Sequence, residues 1–152
     1  MGLNVCRINF GDISEEKEKT VLKILKMKTI AVVGISPKED RPSNYVPRYL
    51  QERGYKIIPV RPGVKEILGE KAYKKLSDVP ENVEVVNVFR RSEFCVDIAK
   101  QAVKIKAKAL WLQEGIINEE AKKIAEENGL LFIMDYCLKK AYAKYIEHRL
   151  QS

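Results

Sequence analysis

Four arginines lie in loops that directly follow predicted strands: Arg41, Arg61, Arg90 and Arg91. A guanidinium group binds phosphate through two parallel hydrogen bonds, so arginines clustered in loops favour a phosphorylated ligand. Because the carboxyl ends of parallel strands meet at one edge of a sheet, these side chains are expected to converge there. The alternative is that the four arginines are solvated on separate loops.

The stretch KTIAVVGISPKEDRPS, residues 28–43, is the sequence around which this edge is organised. Its apolar, β-branched run ends at Gly34, and apolar residues recur at helical spacing after Ser43. This pattern predicts a buried strand, a tight turn, a polar loop and a helix. We expect Gly34 to leave room for a ligand, and the helix N-terminus to favour an anion.

The glycine content of this loop bears on which nucleotide could bind. A dinucleotide site of the NAD type has the pattern G-x-G-x-x-G after the first strand and an acidic residue near the end of the second. Here Gly34 is the only glycine of the loop, and Arg61 follows the second predicted strand. A cation suits a phosphorylated ribose, so NADP and coenzyme A both qualify, and the missing glycines weigh against NADP.

Residues that could perform catalysis are few. The chain has one histidine, His148, and three widely spaced cysteines, Cys6, Cys95 and Cys137. No Ser-His-Asp set, paired-carboxylate motif or C-x-x-C is present, so we expect neither catalytic machinery nor a metal site. Cys95 is expected to pack in the core. Cys137 follows the last predicted strand, where it either faces the ligand and could form a mixed disulfide or is a structural cysteine.

The elements that must position these residues alternate regularly along the chain. Hydrophobic periodicity predicts five strands that alternate with helices, with Ser14, Ser92 and Asn118 as helix N-caps, and a loop with short elements over residues 64–76. This order predicts the α/β class: a Rossmann-like doubly wound parallel sheet in three layers and a single domain. We expect residues 1–13 to be an N-terminal extension and residues 14–152 to form the domain. The last helix is expected over residues 137–150.

Composition limits the classes of partner. The chain has 152 residues, of which 45% are hydrophobic, and a formal net charge of +7. No apolar run approaches the roughly 20 residues that span a bilayer, and no export signal is visible, so we expect a cytoplasmic protein without a membrane partner. The positive charge permits nucleic acid binding, but the lysines alternate with glutamates on predicted helices and no reader motif is present. Nucleic acid is therefore not the expected partner.

The ordered motifs VVGISPKEDRPS, GYKIIPVRPG, LGEKAYKKLSDVP, VVNVFRRSE, WLQEGIINEEA and MDYCL resemble the stand-alone coenzyme A-binding protein family. The resemblance covers about residues 28–138. That family is similar to the N-terminal domain of the succinyl-CoA synthetase α subunit. The resemblance implies a Rossmann-like fold that binds coenzyme A at the carboxyl ends of its strands.

The resemblance also implies positions for the cofactor. The first loop would cradle the phosphates or the pantetheine arm, the second would line the nucleotide, the third would close the adenine side, and the fourth matches the I-T-E-G loop of the ligases. Many members carry an N-P-N-like turn where this chain has R-P-G, and this R-P-G turn is closer to the ligase version. The implied cofactor-binding residues are Gly34, Ser36, Pro37, Lys38, Arg41, Ser43, Arg61, Pro62, Val64, Phe89, Arg90, Gln113, Glu114 and Gly115.

These observations favour a cytoplasmic protein that binds coenzyme A or an acyl-CoA without chemistry of its own. An alternative is an NADP-binding protein, and another is a component of an acyl-CoA ligase that acts with a partner chain. A homo-oligomer is also compatible with the sequence. The acyl group, if one is carried, is not predicted.

Overall fold

The structure is a computed structural model that describes residues 14–148. The expected extension at residues 1–13 and the last residues of the expected final helix lie outside this range. In chain order the strands are β1 (Thr29–Val33), β2 (Lys56–Val60), β3 (Glu66–Ile67), β4 (Glu70–Lys71), β5 (Val85–Val88), β6 (Ala109–Leu112) and β7 (Leu131–Ile133). The helices are α1 (Glu15–Leu25), α2 (Pro42–Gln51), α3 (Cys95–Lys104), α4 (Glu119–Glu127) and α5 (Leu138–Tyr142), which continues as a π-helical turn, Ala143–Glu147.

The central sheet is parallel and has five strands in the order β2-β1-β5-β6-β7. The predicted α/β fold and the Rossmann-like doubly wound sheet are therefore confirmed. Strands β1 and β5 are neighbours although β2 intervenes in the sequence, so the connections leave β1 and β5 in opposite directions across the sheet. The carboxyl ends of these two strands form the switch point at which such sheets bind ligands.

Strands β3 and β4 form a small antiparallel hairpin outside the main sheet. Beyond the hairpin, Tyr73 makes an isolated parallel bridge to Val60 on the free edge of β2. This bridge stands where a further outer strand would lie in a six-position Rossmann sheet. Pro59 is tolerated in β2 because β2 is an edge strand of the main sheet, and the Pro59 carbonyl still accepts from Tyr73 N (2.9 Å).

Two apolar clusters cover the two faces of the sheet. One contains buried residues of α1, α2 and α5, with Trp111 and Ile57 from the strands. The other contains buried residues of α3 and α4, with Val86 and Leu110 from the strands. Because alternate residues of a strand face opposite sides, a strand buried on both faces must be apolar throughout, which is why the strands read as continuous hydrophobic runs.

Two of the three predicted N-caps are confirmed. Ser14 Oγ accepts from Lys17 N at 3.1 Å, and Asn118 Oδ1 accepts from Ala121 N at 2.8 Å. The prediction for Ser92 is wrong, because α3 begins three residues later, after a 3₁₀ turn over Ser92–Phe94. The Ser92 hydroxyl instead donates to the Ile117 carbonyl at 2.6 Å. The Ser92 side chain thus makes a long-range hydrogen bond instead of capping a helix.

Within residues 14–148, none of the helices combines the length and the apolar character that a membrane crossing requires.

Candidate functional site

The loops after β1 and β5 are in close contact at the switch point. Gly34 ends β1 with φ of 86°, a conformation that glycine adopts at low cost. A Cβ atom on Gly34 would lie 2.9 Å from the Phe89 carbonyl oxygen and 2.9 Å from Arg90 Cγ. The expectation that Gly34 leaves room for a ligand therefore needs correction: the protein's own β5 loop fills the space above this glycine, and close packing is what excludes a larger residue.

The first of two cavities at this edge is named here the cationic cavity. Its volume is about 470 Å³. The charged residues around it are Arg61, Lys74, Lys75, Arg90 and a single acid, Asp97. Gly34, Pro62, Phe89, Phe94 and Gln101 are among the other lining residues. Four cations against one carboxylate make this cavity suited to a phosphorylated ligand.

The two arginines of the cationic cavity are held by other parts of the chain. Arg61 Nη1 donates to the Ile35 carbonyl at 2.9 Å, which ties the end of β2 to the turn after β1. Arg90 lies over the ring of Phe94, with 4.0 Å between the guanidinium carbon and the ring centroid. Both side chains are therefore held by contacts within the protein, and each keeps further N–H donors without a partner among residues 14–148.

The second cavity is named here the Cys137 cavity. Its volume is about 430 Å³, and it lies toward the α2 and α5 side of the switch point. Phe89 lines both cavities, so the two share this residue of the β5 loop. The remaining lining residues are Pro42, Tyr45, Val46, Gln113, Glu114, Ile116, Cys137, Lys139 and Lys140. The walls are largely apolar, with polar groups supplied by the loops after β6 and β7.

Hydrogen bonds fix the polar rim of the Cys137 cavity. Gln113 is 5% exposed, and its Oε1 accepts from Leu138 N at 3.2 Å and from Asn87 Nδ2 at 3.4 Å. Glu114 forms an ion pair with Lys140 at 2.8 Å on the exposed side. The loop after β6 is thus joined to the start of α5, and Gln113 serves the fold as well as the cavity.

The cysteines have different surroundings. Cys95, the first residue of α3, is fully buried, and burial raises the pKa of its thiol to about 11. The expectation that Cys95 packs in the core is confirmed. Cys137 is 7% exposed, packs in the apolar cluster that contains α1, α2 and α5, and is one of the residues that line the Cys137 cavity. Cys6 lies outside the described residues.

The structure brings together about half of the residues that the sequence implied. Gly34, Arg61, Pro62 and Arg90 line the cationic cavity, Gln113 and Glu114 line the Cys137 cavity, and Phe89 lines both. The others line neither cavity; they are Ser36, Pro37, Lys38, Arg41, Ser43, Val64 and Gly115.

Four of the seven residues outside the two cavities have visible structural roles. Ser36 Oγ accepts from Lys38 N at 3.0 Å, and Ser36 N donates to the Ser43 carbonyl at 3.1 Å, so the first loop is closed onto α2. Gly115 N donates to Asp135 Oδ1 at 2.7 Å. Val64 packs against the core. Pro37, Lys38 and Arg41 are exposed.

Lys74 and Lys75 are the two cations of the cationic cavity that sequence reasoning missed. They follow Tyr73, whose parallel bridge to Val60 carries the chain past the carboxyl end of β2 and onto the cationic cavity. The available signal was the pair of adjacent lysines in KAYKKL, before the buried Leu76. The one-residue bridge that positions them leaves no periodic pattern in the sequence.

Comparison with known proteins gives consistent matches. A family model described as a CoA binding domain matches residues 28–143. The uncharacterized protein YneT of Bacillus subtilis (strain 168) is 42% identical over 130 residues, which are 86% of this chain and 95% of that protein. A hypothetical protein from Pyrococcus horikoshii OT3 has a solved structure with a TM-score of 0.80 and 37% identity, covering 84% of this chain and 90% of that one.

A longer protein also matches. The dinucleotide forming acetyl-coenzyme A synthetase 1 of Ca. Korarchaeum cryptofilum, solved with phosphate and ADP, gives a TM-score of 0.67 at 25% identity. The match covers 76% of this chain and 27% of the synthetase chain. The part shared with the synthetase is therefore about a quarter of that protein's length.

Proposed function

This chain belongs to the CoA binding domain family, and from that membership we propose that it binds coenzyme A or an acyl-CoA at the carboxyl edge of its sheet, without catalytic machinery of its own. The observation that carries the proposal is the cationic cavity at the β1–β5 switch point, where Arg61, Lys74, Lys75 and Arg90 converge. Coenzyme A carries phosphate on its ribose as well as its pyrophosphate, so it offers several anionic groups to such a cluster.

The arrangement of the two cavities supports a division of the ligand. The cationic cavity would receive the nucleotide and its phosphates, with Phe94 and Phe89 beside the base. The pantetheine arm would cross Phe89 and enter the Cys137 cavity, whose walls are largely apolar. Arg61 would act through its remaining N–H donors while its bond to the Ile35 carbonyl keeps the β1 turn in place.

NADP is the competing nucleotide. The close contact between Gly34 and the Phe89 carbonyl leaves the first turn without the open glycine-rich backbone that cradles a dinucleotide pyrophosphate. The loop instead closes on itself through Ser36 and Ser43. Binding of NADP with an affinity equal to that of coenzyme A would contradict the proposed ligand.

The protein as purified offers a direct test. A fraction that retains its ligand should show nucleotide absorbance in its ultraviolet spectrum, and denaturation should release a compound with the mass of coenzyme A or an acyl-CoA. An acyl-CoA mass would identify the acyl group. Release of NADP in its place would refute the proposal. A sample without nucleotide is titrated with coenzyme A and with NADP.

A role as a ligase component is the second candidate, and the match to about a quarter of the synthetase chain favours it. In that case the chain would present coenzyme A to a separate partner chain. Purification at native expression level should then recover a complex larger than any homo-oligomer of this chain, with a ligase-type protein identified by mass spectrometry. Recovery of this chain alone would count against the partner.

A further inference from the structure

We propose that residues 6–10 of this chain add a further parallel strand to the main sheet, paired with the free edge of β7. This edge is the one farthest from β2, and the proposal does not depend on the ligand. The observations that carry it are a groove along β7, peptide groups of β7 that point into it, and the point at which the described chain begins.

A groove of about 310 Å³ lies along β7 and is named here the β7 groove. Residues of α1 and α4 line its two sides, and these helices pack on opposite faces of the sheet. The groove therefore lies at the edge of the sheet, between the two helical layers. Its lining residues are Ser14, Glu16, Lys17, Thr20, Lys122, Glu126, Phe132, Ile133 and Met134.

The main chain of β7 can form hydrogen bonds in this groove. Leu131 N donates to the Lys108 carbonyl at 3.0 Å, so the peptide groups of Leu131 point toward β6. Because successive residues of a strand direct these groups to opposite sides, the N–H and C=O of Phe132 point away from β6. Among residues 14–148, no strand pairs with β7 on that side.

The burial of Phe132 makes a partner for these groups necessary. Phe132 is 8% exposed, so water has little access to its N–H and C=O. A buried peptide group without a partner is costly, and the great majority of such groups in proteins are paired. One further strand in the β7 groove would satisfy both groups of Phe132.

The charges of the β7 groove favour a strand over an ionic ligand. Its lining contains two lysines and two glutamates, so the charges balance. Residues 6–10 have the sequence CRINF, in which Arg7 is the only charged residue and apolar residues occupy every second position. This alternation is typical of a strand that packs on one face and meets water on the other.

The position of Ser14 fits the proposed strand. Ser14 lines the β7 groove and caps α1, so the chain enters the described structure at the groove itself. Three residues, 11–13, separate Ser14 from the proposed strand, and about two to six residues usually connect a strand to a helix. Gly11 and Asp12 are typical turn residues.

The direction of α1 explains why the strand would be parallel. α1 leads into the amino end of β1 at Thr29, so the beginning of α1 lies toward the carboxyl edge of the sheet. A strand that is joined to Ser14 by a short turn must therefore end at the carboxyl edge, as β7 does. The proposed strand and β7 then run in the same direction.

The hand of the connection fits as well. α2 links β1 to β2 over the face that α1, α2 and α5 cover, and this link moves toward the β2 edge. A link from a strand beyond β7 through α1 to β1 would cross the same face in the same direction. The two links therefore have the same hand, and parallel connections are right-handed in almost all proteins.

The test is amide hydrogen exchange of the full chain, measured by NMR. The Phe132 amide should exchange at least about a hundredfold more slowly than an unstructured amide, because it would donate to the added strand. Ile8→Asp removes an apolar residue of that strand and should raise this rate at least about tenfold. Asn9→Asp places the same residue at the neighbouring polar position, so this control should stay within about twofold of the wild type.

Nuclear Overhauser contacts in the wild type decide which segment fills the groove, even if a variant folds poorly. In a mixture of isotope-labelled and unlabelled protein, we expect contacts between residues 6–10 and β7 within one molecule. Contacts that are absent, or that arise only between molecules, would overturn the proposal, and the latter would assign the groove to a second copy. Rapid exchange of the Phe132 amide in the wild type, or equal effects of the two variants, would also overturn it.

Discussion

Replacement of Gly34 by alanine tests the packing of the switch point, and Gly129 supplies a matched control. Both glycines have positive φ, 86° and 80°, so alanine is strained at either position, by roughly 1–2 kcal/mol. They differ in their surroundings. A Cβ atom at Gly129 meets nothing within 4 Å, whereas one at Gly34 lies 2.9 Å from the backbone oxygen of Phe89.

The difference between the two variants isolates the steric contact. The conformational cost is shared, so Gly34→Ala should destabilise more than Gly129→Ala by the cost of overcrowding, about 1–3 kcal/mol. The Phe89 carbonyl belongs to the backbone and cannot rotate away. The difference in unfolding free energy between the two variants should therefore be clearly greater than zero. Affinity for coenzyme A should also fall in Gly34→Ala only, because Phe89 and Arg90 line the cavities.

Urea denaturation followed by circular dichroism measures both variants against the wild type, with the slope of the transition checked for constancy. Losses of unfolding free energy that agree within about 0.5 kcal/mol for the two variants would refute the crowding at Gly34. The reasoning would also fail if Gly34→Ala kept full stability and lost only binding, since that outcome would mean that the space above the glycine belongs to the ligand.

Three further predictions concern the site and its support. The double variant Lys74→Ala/Lys75→Ala should bind coenzyme A roughly three- to thirtyfold more weakly at low salt and lose less at high salt, because each exposed cation contributes modestly to phosphate binding. Lys71 is an exposed lysine outside the cavity, so calorimetry of Lys71→Ala should show wild-type affinity. An equal loss of affinity in Lys71→Ala would indicate a general charge effect. Backbone hydrogen bonds from Lys28 and Thr29 hold the pKa of Glu84 below its ordinary value of 4.5, so the Glu84 carboxylate stabilises the fold above that value and loses this effect as the pH falls through the lowered pKa. The urea midpoint of Glu84→Gln should therefore depend less on pH below about 4.5 than that of the wild type. Parallel pH profiles of the two proteins would contradict this. The thiol of Cys95 has a pKa of about 11, so only about one Cys95 thiol in a thousand is ionised at pH 8 and Cys95 should resist iodoacetamide there. Rapid labelling of Cys95 in the folded protein would contradict the burial of this side chain.

The fold was predictable because its strands are buried on both faces. Residues 85–88 and 109–112 are apolar or nearly so, and continuous apolar runs alternating with amphipathic helices specify a parallel sheet. The N-cap at Asn118 was predictable for a similar reason, since its hydrogen bond closes within one turn of helix. Local chemistry of this kind can be read directly from spacing.

Features that depend on distant contacts were not predictable. Ser92 has the residue type of an N-cap, yet its hydroxyl donates to a carbonyl 25 residues away. Lys74 and Lys75 reach the cationic cavity through one parallel bridge, between Val60 and Tyr73. Sequence spacing carries no record of either contact, because both arise from the way the loops pack once the sheet has formed.

The candidate site was predicted in outline. The predicted topology led to the expectation that the four arginines gather at the carboxyl edge of the sheet. Two of them, Arg61 and Arg90, line the cationic cavity. Arg41 and Arg91 are exposed and line neither of the two cavities. Loop residues were therefore located to the correct edge, whereas the direction of each side chain was set by packing that the sequence does not record.

Calorimetric titration of the purified protein with coenzyme A, 3′-dephospho-coenzyme A, NADP and NAD, at two salt concentrations, tests the central claim most directly. The account predicts micromolar or tighter binding of coenzyme A, weaker binding of the other three, and a decrease in affinity as salt rises. Absence of coenzyme A binding to protein shown to be free of ligand would contradict it, as would a preference for NADP.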